Sequence, residues 1–523
     1  MKGNGVRQSM AWIHGWLGLL AGWILFAMFV TGTASYFRPE ITRWMQPEYR
    51  PHAVPQAEAA QSAVAWLQKN APHDEQWTIY LPTERTLSTR VFTRARPNPD
   101  PKAPRPPRRP EVRLDPATGV PVEARDTKGG EFFYRFHFQL QLPHPWGRWL
   151  AGLCAMFMLG AILSGVITHK RIFADFFMLR WNKGQRSWLD AHNVSAVLAL
   201  PYHAMITYTG LITLVVMYMP WPILANYPKP TAFAESLYGD TAGQKASGQP
   251  GQLADMRRFV DAASAEWQGA RVSRVIVGNP DDASSTVTLL RSGEDRLNAR
   301  GTSITYAGVS GERLSASPPP GPAVETAGVM LGLHLGWFAG PLLRWVCFLL
   351  GLTGSAMVAT GLVLWTVKRK RPGAQPFFGM SLVERLNIGA VACLPAGMAA
   401  FLLANRLLPP MLAGRADLEV SAMFWCWFGL AALSLLRPVR RAWIETLAIS
   451  ALLFAAVPVA DLVTNGGMRF EALFFAFDAT MILVAMTLGF AAWRMAVRPS
   501  RTPQPRRRKP IVVAEPRELL DVA

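Results

Sequence analysis

Six of the nine histidines in this 523-residue chain lie within or beside long apolar stretches, where a polar ring without a partner is energetically costly. These six are His14, His137, His169, His192, His203 and His334. About three helical turns separate His192 from His203, so both side chains leave one face of a helix, roughly 16 Å apart along its axis. This spacing is typical of stacked metal or haem ligands.

An internal repeat relates four of these histidines to one another. The stretch that contains His14 aligns with the stretch that contains His192, and the downstream motif VTGTA aligns with YTGLI. His137 and His334 occupy near-equivalent positions, each shortly before an apolar stretch with a matching Arg-Trp pair near its start. Residues 1–370 therefore hold two copies of one unit, and the repeat predicts one histidine pair at each face of the membrane.

Two facing imidazoles can occupy both axial positions of a haem iron, and the Leu, Phe, Gly and Ala around these sites suit the faces of a porphyrin. The sequence therefore predicts two haems, of the b type because no Cys-x-x-Cys-His motif is present for covalent attachment. A lone histidine inside a membrane is also often satisfied by an ordinary hydrogen bond, and this alternative stays open for each residue. Zinc is the competing metal, but no closely spaced set such as His-Glu-x-x-His occurs.

Two of the six histidines have no histidine counterpart under the repeat. His169 precedes Lys170 and Arg171, which are candidates to pair with haem propionates. His203 lies near the predicted middle of the membrane, where it either replaces a symmetric ligand or supports a site between the two faces.

Long apolar blocks predict a polytopic α-helical membrane protein with about eight spans. Hydrophobic residues make up 50% of the chain. The predicted spans are 11–36, 147–168, 193–219, 341–366, 386–408, 420–436, 442–460 and 472–493. Equivalent spans run in the same direction, so the first four are expected to form a haem-binding four-helix core around a pseudo-two-fold axis along the membrane normal.

Basic residues in the short connections predict the orientation of the spans. Lysines and arginines follow the second, fourth and sixth spans on the same side as Lys2 and Arg7, so both termini, including the basic tail 494–523, are predicted to be cytoplasmic. Segments 38–146 and 220–340 then face the periplasm of a bacterial inner membrane, one α+β domain in each copy. We attribute the net charge of +19 to this topology and to anionic lipid rather than to nucleic acid.

Four motifs resemble those of the PepSY-associated transmembrane proteins, iron-regulated inner-membrane proteins that include ferric-siderophore reductases. The motifs are IHGWLGLLAGWILFAMFVTG, SGVITHKRIFADFF, QRSWLDAHNVSAVLALPYHAMITYTGL and GLHLG. The resemblance implies a di-haem b reductase with two periplasmic PepSY-like domains, which reduces a ferric siderophore and releases Fe(II). The six histidines lie in the matching motifs, with no assignment of which pair holds which haem. Region 386–493 and a proline-arginine stretch at 94–113 depart from the smaller members.

Three functions remain open from the sequence. The first is the reductase, with ferripyoverdine as one candidate substrate and other iron-uptake proteins of the inner membrane or periplasm as partners. Its electrons would come from a quinol or a cytoplasmic donor, because the chain has no dinucleotide fingerprint. The second is a non-enzymatic binding or regulatory module. The third is a transporter subunit that uses spans five to eight as its conduit.

Carboxylates in those last four spans suggest partner contacts, a quinol site or proton transfer, although ordinary helix-end residues explain them equally well. They are Glu445, Asp461, Glu471 and Asp478.

Overall fold

The computed structural model describes residues 5–50, 52–98, 109–169, 177–229, 232–233, 245–370, 378–465 and 471–498. The helices are α1 (Val6–Ser35), α2 (Arg38–Met45), α3 (Gln56–Asn70), α4 (Gly129–Gln139), α5 (Trp146–Thr168), α6 (Gln185–Leu198), α7 (Leu200–Thr213), α8 (Val215–Tyr218), α9 (Trp221–Asn226), α10 (Met256–Glu266), α11 (Pro322–Leu335), α12 (Pro341–Arg369), α13 (Phe378–Leu407), α14 (Arg415–Leu435), α15 (Val439–Asn465) and α16 (Ala472–Val497). The strands are β1 (Gln76–Tyr80), β2 (Thr89–Arg94), β3 (Val112–Leu114), β4 (Val272–Gly278), β5 (Thr286–Arg291), β6 (Ser303–Ala307) and β7 (Arg313–Ala316).

Among the described residues, seven helices are long and apolar enough to cross a membrane. They are α1, α5, α12, α13, α14, α15 and α16. The pair α6 and α7 makes an eighth candidate if it counts as one bent span. Seven or eight such helices fit the predicted polytopic membrane protein.

The third predicted span, 193–219, is not one straight helix. Helices α6 and α7 meet at an angle of 68°, and Ala199 lies between them. Pro201 lies in the first turn of α7, where it lacks the N–H that a continuous helix needs and disfavours helical geometry in the residue before it. Proline therefore explains the break, and it also explains why α7 starts again at once.

Four spans form a closed ring in the first part of the chain. Helix α1 packs against α5 and α12, α12 packs against α6, and α5 packs against α7. Each copy of the repeat thus contributes two spans to the ring. Each copy also adds a shorter helix just before its second span, α4 in the first copy and α11 in the second.

The two long segments between the spans share one seven-stranded sheet, in the order β3-β2-β1-β4-β5-β6-β7. The sequence predicts one α+β domain in each copy, whereas β1 of the first copy pairs antiparallel with β4 of the second. Each strand would otherwise leave an open edge, and pairing two equivalent strands across a two-fold axis satisfies both edges at once. The axis inferred for the membrane helices thus also describes the sheet.

One face of the sheet is covered by α3 and α10, which pack against each other. Trp77 and Ile79 from β1 alternate with less buried residues, and Leu289 from β5 and Phe259 from α10 join them in a single buried core. The opposite face has no helix in this core, and it is turned towards the four-helix ring across a cavity described below.

Helices α13 to α16 pack together and join the rest of the protein through buried polar contacts. Arg406 of α13 pairs with Asp461 of α15 at 2.7 Å, and both side chains are fully buried. The Arg406 guanidinium also lies 3.6 Å from the centre of the Trp44 ring of α2. Because a buried charge without its partner is costly, these contacts fix the position of the last four helices against α2.

The structure gives ion-pair partners to three of the four carboxylates that the sequence singled out in this region. Asp461 pairs with Arg406, Glu445 lies 3.1 Å from Arg437, and Glu471 pairs with Arg43. Asp478 is buried in α16. The buried ion pair indicates a structural role for Asp461, whereas the pairs of Glu445 and Glu471 are partly exposed.

The continuous sheet leads to a prediction for Leu289→Ala in β5, where the leucine is fully buried. The cavity should lower the free energy of local unfolding by about 2–5 kcal/mol. Because the sheet is shared, we expect amide hydrogen exchange to accelerate in β1 of the first copy as well as in β4 and β5. Leu314→Ala in β7, where the side chain is 43% exposed, is the matched control and should change exchange little. Faster exchange confined to the second copy's strands would contradict a shared sheet.

Candidate functional site

Two pairs of histidines face each other at the two ends of the four-helix ring. His14 of α1 and His192 of α6 have ring centroids 6.0 Å apart, with planes inclined by 66°. His137 of α4 and His334 of α11 have ring centroids 6.1 Å apart, with planes inclined by 31°. We call the first the far pair and the second the sheet-side pair. These are the pairs that the repeat predicts.

All four rings make the same hydrogen bond, from Nδ1 to a backbone carbonyl of a neighbouring helix. The contacts are His14 with Ala161 (2.8 Å), His192 with Met357 (2.8 Å), His137 with Met28 (2.7 Å) and His334 with Ile206 (3.0 Å). A carbonyl oxygen only accepts, so Nδ1 carries the proton in each ring and Nε2 keeps its lone pair. This is the tautomer that binds a metal through Nε2.

A glycine lies beside each of these rings, one helical turn after the carbonyl that accepts the hydrogen bond. Distances from the Cβ that any other residue would carry are 3.2 Å for Gly165 to His14, 3.1 Å for Gly361 to His192, 2.6 Å for Gly32 to His137 and 2.8 Å for Gly210 to His334. In a helix, the side chain of residue i+4 lies next to the carbonyl of residue i. Glycine at i+4 has no side chain, so it leaves this carbonyl open to an imidazole.

The spacing of both pairs fits one metal ion bound between two imidazoles. A metal–imidazole bond is about 2 Å and a ring centre lies about 1 Å behind its nitrogen, so two opposed ligands have centroids roughly 6 Å apart. The observed 6.0 and 6.1 Å agree with this arrangement. No cluster of three or more His, Cys, Asp or Glu side chains suited to a metal ion occurs within the described ranges. Two opposed imidazoles at this spacing match the axial ligand set of a six-coordinate haem iron.

Burial favours the uncharged form of both imidazoles in the sheet-side pair. It lowers the pKa of both His137 and His334, and for His334 the neighbouring His137 lowers the pKa further. Neutral imidazole is the form that binds iron, so burial favours ligation at neutral pH.

The remaining candidates are not paired with another histidine among the described residues. His169 ends α5, where Asn193 Nδ2 donates to its Nε2 at 3.2 Å. Lys170 and Arg171, the propionate candidates, lie outside the described residues. His169 therefore has a hydrogen bond at Nε2, while its buried Nδ1 has no partner among the described residues.

His203 lies in α7, inside the ring of four helices. Its side chain is fully buried, and its Nε2 lies 3.3 Å from Thr353 Oγ1. The Phe29 ring meets it edge to face, with centroids 6.1 Å apart. Next to His203, the hydroxyl of Tyr202 lies 2.9 Å from that of Tyr36. His203 therefore contacts buried aromatic side chains, and its buried Nδ1 has no hydrogen-bond partner among the described residues.

A cavity of about 880 Å³ extends from the sheet-side pair to the helix-free face of the sheet. Its lining includes His137 and His334 on the helix side and Tyr80 and Arg274 on the sheet side. His14 and His192 are not among its lining residues. The two pairs therefore differ in access, although they share the same local geometry.

The repeat identified the histidines, but reading the sequence missed the role of the four glycines. Gly32 and Gly210 occupy equivalent positions in VTGTA and YTGLI, and Gly165 and Gly361 do so in LSGVI and ATGLV. The recurrence of glycine at matching positions was the available signal. The acceptor carbonyl is invisible in the sequence because any residue type supplies one.

The comparison with known proteins agrees with this architecture. A protein of Pseudomonas aeruginosa, Uncharacterized protein PA4219, is 26% identical over 375 residues, which are 67% of this chain and 91% of that protein. The model of the PepSY-associated TM region matches residues 11–368, a range that contains both histidine pairs and all four glycines. The chain therefore belongs to the family defined by the PepSY-associated transmembrane region.

Proposed function

We propose that this protein is a di-haem b reductase of a bacterial inner membrane, which passes electrons to a ferric siderophore in the periplasm. One electron reduces one Fe(III) to Fe(II), and hard oxygen ligands hold Fe(II) less tightly, so iron is released. The electron comes from a quinol or a cytoplasmic donor. Both termini are then cytoplasmic, and the sheet is periplasmic.

The observation that carries this proposal is the shared geometry of the two histidine pairs. Each pair has the centroid spacing of two axial ligands, and each ring has its Nδ1 proton committed to a carbonyl. A buried histidine with a purely structural role needs only a hydrogen bond. Such a role would not explain why two imidazoles lie about 6 Å apart at both ends of the same core. A bound haem would supply reversible one-electron chemistry at its iron.

The difference in access supports an outward direction of electron transfer. Only the sheet-side pair lines the large cavity, where a bulky chelate can approach. The far pair lies about one span away from the sheet-side pair. Gly32 lies beside His137, and roughly 27 Å of helix α1 separates it from His14. In this arrangement, His14 and His192 serve the donor side of the membrane, and His137 and His334 serve the acceptor side.

Single substitutions should separate the two haems. We expect His192→Ala and His334→Ala each to lose about half of the b-type haem that the wild-type protein carries, because each removes one axial ligand from one pair. The dithionite-reduced α-band of the purified protein and its haem-to-protein ratio measure this loss.

His169→Ala and His203→Ala are the matched controls, because neither residue faces a second histidine among the described residues, and both variants should retain two haems. Well-folded wild-type protein without any haem spectrum would contradict the proposal and favour the non-enzymatic binding or regulatory module.

The glycines give a second test of the same sites. Gly32→Ala places a methyl group 2.6 Å from His137 Nδ1, so we expect reduced haem content and an altered spectrum from the sheet-side site. Gly18→Ala is the matched control in α1, because nothing lies within 4 Å of its added methyl group. Equal effects of the two substitutions would show that helix α1 as a whole, and not contact with the ring, controls haem binding.

Reductase activity is tested on haem-loaded protein under anaerobic conditions. Protein reduced stoichiometrically with dithionite should be reoxidised when a ferric siderophore is added, and a ferrous-iron chelator should trap the released Fe(II). His334→Ala should slow this reoxidation by at least about tenfold, because it removes the haem nearest the cavity. Reduced wild-type protein that stays reduced in the presence of ferric chelates would rule out the reductase.

A further inference from the structure

The helix-free face of the sheet carries a row of residues that are directly paired across four strands. Arg90 of β2 faces Arg113 of β3 on one side and Tyr80 of β1 on the other, and Tyr80 faces Arg274 of β4. All four residues line the cavity that His137 and His334 also line. We call these four residues the arginine row.

The positive charge of the arginine row is not balanced by its neighbours. One carboxylate, Glu111, serves two guanidiniums, at 3.0 Å from Arg113 Nε and 3.8 Å from Arg90 Nη1. Arg274 forms no ion pair within the part of the chain that the structure describes, and its Nη1 donates to the Tyr80 hydroxyl at 3.2 Å. Arg90 and Arg113 occupy directly opposed strand positions, where like charges destabilise a sheet.

Tyr80 holds the two guanidiniums of its neighbours in place. The guanidinium carbon of Arg90 lies 4.9 Å from the centre of the Tyr80 ring, and that of Arg274 lies 5.4 Å from it. Stacking of this kind orients a guanidinium while leaving N–H donors for a ligand. Arg90 Nε is buried and has no hydrogen-bond partner among the described residues.

Outside the arginine row, each arginine that lines the cavity pairs with a carboxylate. These arginines are Arg38, Arg43, Arg85, Arg135 and Arg291. The excess positive charge of the cavity therefore lies at the arginine row, across from apolar lining near His137 and His334. Positive charge beside walls of low polarity focuses the electrostatic potential and raises the local concentration of oppositely charged ligands. The cavity therefore favours an anion of substantial size.

We propose that the arginine row is the binding site for an anionic Fe(III) chelate, held between the sheet and the sheet-side histidine pair. Guanidiniums bind carboxylate and catecholate oxygens through paired, charge-assisted hydrogen bonds. The inference rests on the proposed function for the ferric nature of the ligand, and it adds the place of binding and the selectivity for negative charge. A neutral or cationic chelate gains nothing from the row.

Binding is tested without electron transfer by using gallium(III) complexes, which have the shape of their ferric counterparts but are not reduced. Full-length, haem-loaded protein is titrated with the gallium complex of an anionic tris-catecholate and with that of a cationic tris-hydroxamate. We expect the anionic complex to bind more tightly. We further expect Arg274→Gln and Arg90→Gln each to weaken its binding by about tenfold, as expected for the loss of one charge-assisted contact.

Two further variants guard against indirect effects. Arg94→Gln is the matched control, because Arg94 lies on the same face of β2 as Arg90 but does not line the cavity, and its affinity should change by less than about twofold. Arg274→Lys keeps the charge and should retain part of the affinity. Haem content and midpoint potential should be the same in all of these variants as in the wild type.

Several outcomes would overturn the arginine-row site. One is equal loss of affinity in Arg94→Gln, which would indicate a general surface field. Another is loss of haem or a shifted midpoint potential in Arg274→Gln, which would assign this arginine to haem propionates. A third is competition by vesicles of anionic phospholipid, which would assign the row to lipid headgroups. Tight gallium binding by a protein that fails to reduce the ferric complex would instead reject the reductase and leave the site.

Discussion

Each paired imidazole in this protein depends on a backbone carbonyl that a glycine leaves uncovered. The carbonyls of Ala161, Met357, Met28 and Ile206 accept the Nδ1 protons of the four rings. These contacts set the tautomer and the orientation of each ring, and they require two helices to approach closely at the glycine. The distances between α1, α5, α6 and α12 in the ring are thereby tied to the geometry of the two sites.

One pseudo-two-fold axis organises both the membrane helices and the sheet. It relates His14 to His192 and His137 to His334, and it also relates β1 to β4, the strands that join the two halves of the sheet. Because β1 and β4 are equivalent edge strands of the two copies, their pairing joins the two halves into one sheet and leaves no unpaired edge between them. The sheet thus fixes the same relation between the copies that brings the histidines together.

Several features break this symmetry, and they make the two ends of the four-helix ring different. The cavity reaches only the sheet-side pair, and its roof carries Arg90 and Arg113 from the first copy but Arg274 from the second. His203 and its neighbour Phe29 fill the interior without a symmetric equivalent. Helices α13 to α16 contact α2 through the buried Arg406–Asp461 pair. These differences suit the proposed reductase, whose donor and acceptor would be different molecules.

Apolar length and the internal repeat can be read from the chain alone, and they predicted about eight spans and the two histidine pairs. The described residues contain seven such helices, or eight if the bent pair α6 and α7 counts as one span. The sequence could not reveal the break at Ala199 with its angle, because a proline near a helix start is compatible with a straight or a bent span. Folding brings together the shared sheet, the carbonyl partner of each imidazole and the alignment of Arg90, Tyr80 and Arg274. These features arise from the register and approach of segments far apart in the chain, which no local pattern encodes.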